Sequence, residues 1–283
     1  MDSAIFKGKN VIVQGMTGKN GLFHTRTMVD YGTHIIAGVT PGKGGQVVDT
    51  IPVYDTIAEI DEHIDISVVF VPASFARGAL FEAIEAEIPL IVCITEHIPI
   101  HDMLAIRQRL KNSKSQLIGP NCPGILLPGN QLLGIIPALL STPGDTAVIS
   151  RSGTLTYEVM DLLTKAGFGQ KYIVGIGGDM VRGTNFIECL EFFEHDPDVT
   201  RIVMIGEIGG ADEILAADYI REHVTKPVYA YIAGHSAPMG VQMGHAGAIL
   251  GSHSESAAEK TRYLSKSGAI TADSITELVK RVQ

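Results

Sequence analysis

Short runs of apolar, β-branched residues recur along the chain: in the first half VIVQG (11–15), HIIAGV (34–39), ISVVFVP (66–72), LIVCIT (90–95) and QLIGP (116–120), each closed by Gly, Pro or Thr, then TAVIS (146–150), YIVGIGG (172–178), RIVMIGEIGG (201–210) and KPVYAYIAG (226–234). A strand that is apolar at nearly every position, rather than at every second one, has both faces covered, as in a parallel sheet. Helical patterns separate the runs, at 75–86 and 101–112 and again at 154–166, 185–195 and 212–223. Two more helices are expected over 254–267 and from 273 onward. This βαβα order predicts an α/β protein built on open, doubly wound parallel sheets.

The rhythm pauses near Pro128-Gly129-Asn130 and resumes after Pro143-Gly144-Asp145. The expected division is a first domain over 1–128 and a second over 129–283, which suits a 283-residue chain at about 150 residues per domain. Hydrophobic residues make up 45% of the sequence, enough for two buried cores rather than a disordered chain. The net charge of −9 speaks against a nucleic-acid binder held by phosphate contacts. It leaves room for a local anion site made of backbone amides. Cys93, Cys122 and Cys189 are odd in number and follow no zinc spacing, as expected of reduced thiols in a cytoplasmic protein. The N-terminal MDSAIFKGKN is too charged for a secretory leader. No apolar stretch approaches the roughly 18 residues of a membrane span.

In open α/β sheets ligands bind beyond the carboxyl ends of the strands, and the unusual strings stand there. The first strand runs into Gly15-Met16-Thr17-Gly18-Lys19-Asn20-Gly21, spaced G-x-x-G-x-x-G rather than G-x-G-x-x-G. Such a loop either seats a phosphate on a helix N-terminus or makes a tight turn. The second strand ends in Thr40-Pro41-Gly42-Lys43-Gly44-Gly45, where a lysine among glycines suits a phosphate or a solvated turn. No acidic residue closes that strand, which counts against a nicotinamide-dependent oxidoreductase. No P-loop pattern occurs, so any nucleotide site of that type lies elsewhere. Thr95-Glu96-His97 and Asn121-Cys122-Pro123-Gly124 follow later strands and fit the rim of a crevice.

In the second half, Ser150-Arg151-Ser152-Gly153-Thr154 joins a strand to a helix, as a cap or a phosphate seat. Glu207 stands among glycines at a strand end, and His245 lies between Gly244 and Ala246-Gly247. A carboxylate holding one imidazole nitrogen leaves the other free as a nucleophile. His235 reads as structural, and the remaining histidines, His24 among them, are scattered without metal-ligand spacing.

Eight strings in fixed order — QGMTGKNG, GVTPGKGG, ITEHIP, IGPNCPG, SRSGTLTYE, GIGGD, MIGEIGG and MGHAGAI — resemble the succinate–CoA ligase (succinyl-CoA synthetase) alpha subunits over essentially the whole chain. The resemblance implies a Rossmann-like CoA-binding domain followed by a flavodoxin-like ligase domain. It implies that Thr17, Gly18, Lys19, Asn20, Lys43, Ile94, Thr95 and Glu96 bind coenzyme A. It implies that His245 is phosphorylated in turnover and that Glu207 orients it. Ser152, Gly153 and Thr154 match the helix start that receives the phosphohistidine, Tyr157 a substrate-site residue, and Asn121, Cys122, Pro123 and Gly124 the loop beside the acyl group. No metal ligand is implied in this chain. ATP or GTP, with Mg2+, is expected on an ATP-grasp beta subunit, in a heterodimer or heterotetramer. Succinate is the expected acid. The alternatives are malate or a related dicarboxylate, or a CoA-binding module with weakened catalysis. Val241-Gln242 and residues 251–254 stand where the family usually carries basic or glycine-lysine segments, so little positive charge is expected around the histidine.

Overall fold

The structure, a computed structural model, describes residues 10–282. Residues 1–9 of the N-terminal stretch whose charge speaks against a leader lie outside the described residues. The first half holds strands β1 (Val11–Gln14), β2 (Ile35–Val39), β3 (Val47–Val48), β4 (Ile51–Tyr54), β5 (Ile66–Val69), β6 (Leu90–Cys93) and β7 (Gln116–Ile118). Helices α1 (Lys19–Asp30), α2 (Ala73–Glu85) and α3 (Ile100–Leu110) cover them. The sheet order is β3-β4-β2-β1-β5-β6-β7. All pairs are parallel except β3 with β4. Every residue of β1, β5 and β6 is buried, as their unbroken apolar character requires. The β3–β4 ribbon is not expected from the sequence, because it is short and carries Pro52.

The second half contributes β8 (Gly124–Leu127), β9 (Gln131–Gly134), β10 (Pro143–Ser150), β11 (Gln170–Gly175), β12 (Arg201–Glu207), β13 (Val228–Ala233) and β14 (Ile270–Thr271). Helices α4 (Gly153–Lys165), α5 (Phe186–His195), α6 (Asp212–His223), α7 (Ala257–Lys266) and α8 (Ile275–Arg281) complete it. The order is β14-β13-β12-β10-β11-β8-β9, parallel from β14 to β11, with the β11–β8 and β8–β9 pairs antiparallel. In each sheet the chain leaves a central strand in both directions. The switch lies between β1 and β5 in the first sheet and between β10 and β12 in the second. Crevices form at the carboxyl ends of such strands.

The expected domain boundary at 128 falls within the β8–β9 hairpin. Leu126 and Ile125 pair with Ile173 and Val174 of β11, so the chain has joined the second sheet by β8. The hairpin also packs back on the first half. The Thr33 hydroxyl donates to the Leu132 carbonyl at 2.7 Å and accepts from its amide at 3.1 Å. The Gly129 amide donates to the Tyr31 hydroxyl at 2.8 Å. One apolar core therefore runs from Val13 and Met28 through Leu132 and Leu133 to Ile149, Val174 and Ile205. A second core lies on the other face of the first sheet, against α2 and α3.

Candidate active site

The glycine-rich loop after β1 lines a cavity of about 780 Å³ at the first switch point. Thr17, Gly18, Lys19 and Asn20 form one wall, Thr40 and Pro41 another, and Phe70 to Pro72 a third. Lys43 is not in the lining; it sits exposed on the turn beyond β2, where the Lys43 and Gly44 amides donate to Asp55 at 2.9 and 2.8 Å.

A second cavity of about 570 Å³ shares Asn20, Phe70, Val71 and Pro72 with the first. It brings together Ile94, Thr95, Glu96, Asn121, Cys122, Pro123, Gly153, Thr154, Tyr157 and His245. These residues follow strands of both sheets, so the two carboxyl edges open into one cleft. Asn121 takes a left-handed backbone, φ 52°, and its side-chain amide donates to Asp179 at 2.9 Å. The Cys122 thiol donates to the Cys93 carbonyl at 3.2 Å, and burial pushes its pKa well up. Burial likewise raises Tyr157. Gly124 is buried at the start of β8, outside the lining. Ser152 also stays behind the wall: its hydroxyl caps α4 by accepting from the Leu155 amide at 3.3 Å. Among the described residues the Gly153 and Thr154 amides have no acceptor, and they carry the positive end of the α4 dipole into the cleft.

Glu207 ends β12 at the second switch point. Its Oε2 lies 2.7 Å from Nδ1 of His245. The loop bearing His245 folds on itself: Gln242 and Ile249 form an antiparallel bridge, and the Ala248 amide donates to the His245 carbonyl at 3.1 Å. Glycine at 178 is what admits the ring, since a Cβ there would lie 2.2 Å from His245 Cγ. Gly244, at φ 82°, supplies the left-handed turn that starts the approach. The hydrogen bond to Glu207 raises the His245 pKa above its ordinary value, against the opposing effect of burial.

Behind Glu207 lies a buried charge cluster absent from the sequence reading. Arg151 places Nη2 3.0 Å from Glu207 and Nη1 3.0 Å from Glu213. Lys260 meets Glu213 and donates to the Glu207 and Gly209 carbonyls at 2.8 and 2.7 Å. Glu213 and Lys260 are fully buried, and Arg151 nearly so. Burial alone would raise the Glu213 carboxyl, but Arg151 and Lys260 hold it below the usual range. Two basic and two acidic side chains meet here, and the contact with Arg151 together with the Lys260 bond to its carbonyl fixes the direction in which Glu207 points at the histidine. Arg151 stands within a string that the sequence marks; Glu213 and Lys260 carry no local signal, because each is one charged residue in an ordinary amphipathic helix.

Residues 6–97 match the "CoA binding domain" family and residues 149–270 the "CoA-ligase" family. The succinate–CoA ligase [ADP-forming] subunit alpha of Staphylococcus epidermidis is 49% identical over 98% of this chain and 93% of its own. That of Staphylococcus aureus is 48% identical over the same shares. The chain belongs to the succinate–CoA ligase alpha-subunit family. Among solved structures, ATP citrate lyase from Methanothrix soehngenii in complex with citrate and coenzyme A superposes with a TM-score of 0.88 at 25% identity. It is matched over 96% of this chain, which spans only 49% of that larger one. This succinate–CoA ligase relative thus has a CoA-binding half whose glycine-rich loop opens on the larger cavity, and a ligase half that supplies the Glu207–His245 pair.

Proposed function

We propose that this chain, with a beta subunit, reversibly joins succinate to CoA through a phosphohistidine at His245. The 2.7 Å contact between Glu207 and His245 Nδ1, at a cavity continuous with the glycine-rich loop, carries the reading. Glu207 holds the proton on Nδ1, so the lone pair of Nε2 is the nucleophile toward the terminal phosphorus of ATP. The names of its relatives favour an ADP-forming reaction. The Gly153 and Thr154 amides at the start of α4 stabilise the phosphoryl group at the station within this cleft. A succinate carboxylate then takes the phosphoryl group and becomes an acyl phosphate. The CoA thiol displaces phosphate to give the thioester.

Thr17, Gly18, Lys19 and Asn20 receive CoA in the larger cavity, with Lys43 reaching its phosphates from the rim. Ile94, Thr95 and Glu96 flank the thiol end, and Asn121, Cys122, Pro123 and Tyr157 border the acyl group. Nucleotide and Mg2+ belong to an ATP-grasp beta subunit. The lack of a P-loop pattern supports this, as does the half-length match to ATP citrate lyase. Three buried, unpaired cysteines suit a reducing compartment such as the cytoplasm.

Intact mass after mixing with ATP tests the reading. Acid-labile phosphate is expected on the complex with a beta subunit, absent from His245→Asn, and discharged by succinate plus CoA. An unlabelled chain in a proven complex overturns it.

A further inference from the structure

Helix α1 presents Asn20 and, one turn later, His24 on one side, and both line the smaller cavity with His245. Asn20 and Phe70 belong to both cavities. A long substrate laid from the glycine-rich loop toward His245 must therefore pass the wall that holds His24. The His24 imidazole stacks on Phe70, with centroids 5.5 Å apart and planes within 6°. Phe23 meets it edge-on at 5.0 Å. Among the described residues no hydrogen-bond partner engages its ring nitrogens. Half-burial lowers its pKa, so the ring is neutral at neutral pH and offers a lone pair.

The other titratable groups around the cavity are poorly placed to accept a proton. Cys122 and Tyr157 are weak acids made weaker by burial. His245 has its Nδ1 held by Glu207, and on the phosphohistidine reading its Nε2 is committed to the phosphoryl group. Glu96 is exposed at the mouth, 3.7 Å from His97. On α1 itself Lys19 lines the other cavity and Arg26 pairs with Asp49 at 2.9 Å.

We propose that His24 is the general base that accepts the thiol proton of CoA during thioester formation. The inference rests on the phosphohistidine reading above. As the proton moves from sulfur to His24, the sulfur electron pair forms the S–C bond to the acyl carbon. The C–O bond to phosphate breaks, and phosphate leaves with that electron pair. His24 then passes its proton to the released phosphate or to water. A thiol is a poor nucleophile until it is a thiolate, with a free-cysteine pKa of about 8.5, so a neutral imidazole beside it accelerates this step alone.

The test uses the complex with its beta subunit and separates the half-reactions. For His24→Asn, phosphorylation of His245 by ATP and hydroxylamine-trapped acyl phosphate made without CoA are expected within about twofold of the unsubstituted complex. Single-turnover thioester formation should fall by about 10²–10⁴-fold. The drop in rate as His24 protonates, seen toward acid pH, should disappear. Added imidazole should restore the rate to His24→Ala, which a purely structural role does not predict. An unchanged thioester step and pH profile, or a raised KM for CoA with kcat intact, overturns the proposal. Where His24→Asn also loses phosphorylation, imidazole rescue of His24→Ala decides: rescue supports the base, and no rescue overturns it. An unsubstituted complex that never phosphorylates His245 overturns the phosphohistidine reading, a result distinct from loss of the thiol step alone.

Discussion

The hydrogen bond between Glu207 and His245 fixes a tautomer and also a working pH. On the proposed mechanism only the neutral ring can attack phosphorus, and Glu207 raises the pH at which the ring becomes neutral. The rate of His245 phosphorylation should climb as pH rises through a value above that of an ordinary histidine. Glu207→Gln keeps an oxygen near Nδ1 but removes the charge. It should move that rise toward lower pH and slow phosphorylation by about 10²–10⁴-fold, by analogy with the loss of a triad carboxylate; quenched-flow mass measurements across pH read both. The same bond stabilises the folded chain fully below about pH 6.5, and this contribution fades as pH rises through the raised value. His245 and Glu207 are legible in the sequence because glycines isolate them at strand ends. His24, Glu213 and Lys260 are not, because each interrupts a helical pattern as any solvated residue would. Only the tertiary fold brings Lys260 of α7 to Glu213 of α6.

Among the elements, the β8–β9 hairpin binds the two halves. It pairs with β11 and rests on α1, and all four residues of each of its strands are buried. Leu133→Ala should cost about 2–5 kcal/mol, as for other fully buried leucines. Urea unfolding followed by circular dichroism would show a lower midpoint with an unchanged slope. The strands around the switch points are legible because long Val- and Ile-rich runs have no other good fate. The hairpin is not, since a four-residue apolar segment such as GILL has no period to say which sheet it joins. The expected boundary fell inside it for that reason.

For the whole molecule, the continuous core from β1 to β12 implies that the halves do not unfold separately. Scanning calorimetry should give one transition, with calorimetric and van't Hoff enthalpies in agreement. Two resolved transitions would mean that the hairpin contacts are weaker than their burial suggests. A common core also keeps the two carboxyl edges at a fixed distance, which a cleft shared between sheets requires.

Cys122 adds a point of chemical selectivity. A cavity that handles an activated acyl group beside a cysteine risks acylating itself, because an enzyme thiolate competes directly with the thiol of its substrate. Burial keeps the Cys122 sulfur protonated, and its bond to the Cys93 carbonyl turns it away from reaction. On the proposed function, the acyl group is then left for the thiol that arrives with the substrate, and a dead-end thioester on the enzyme is avoided.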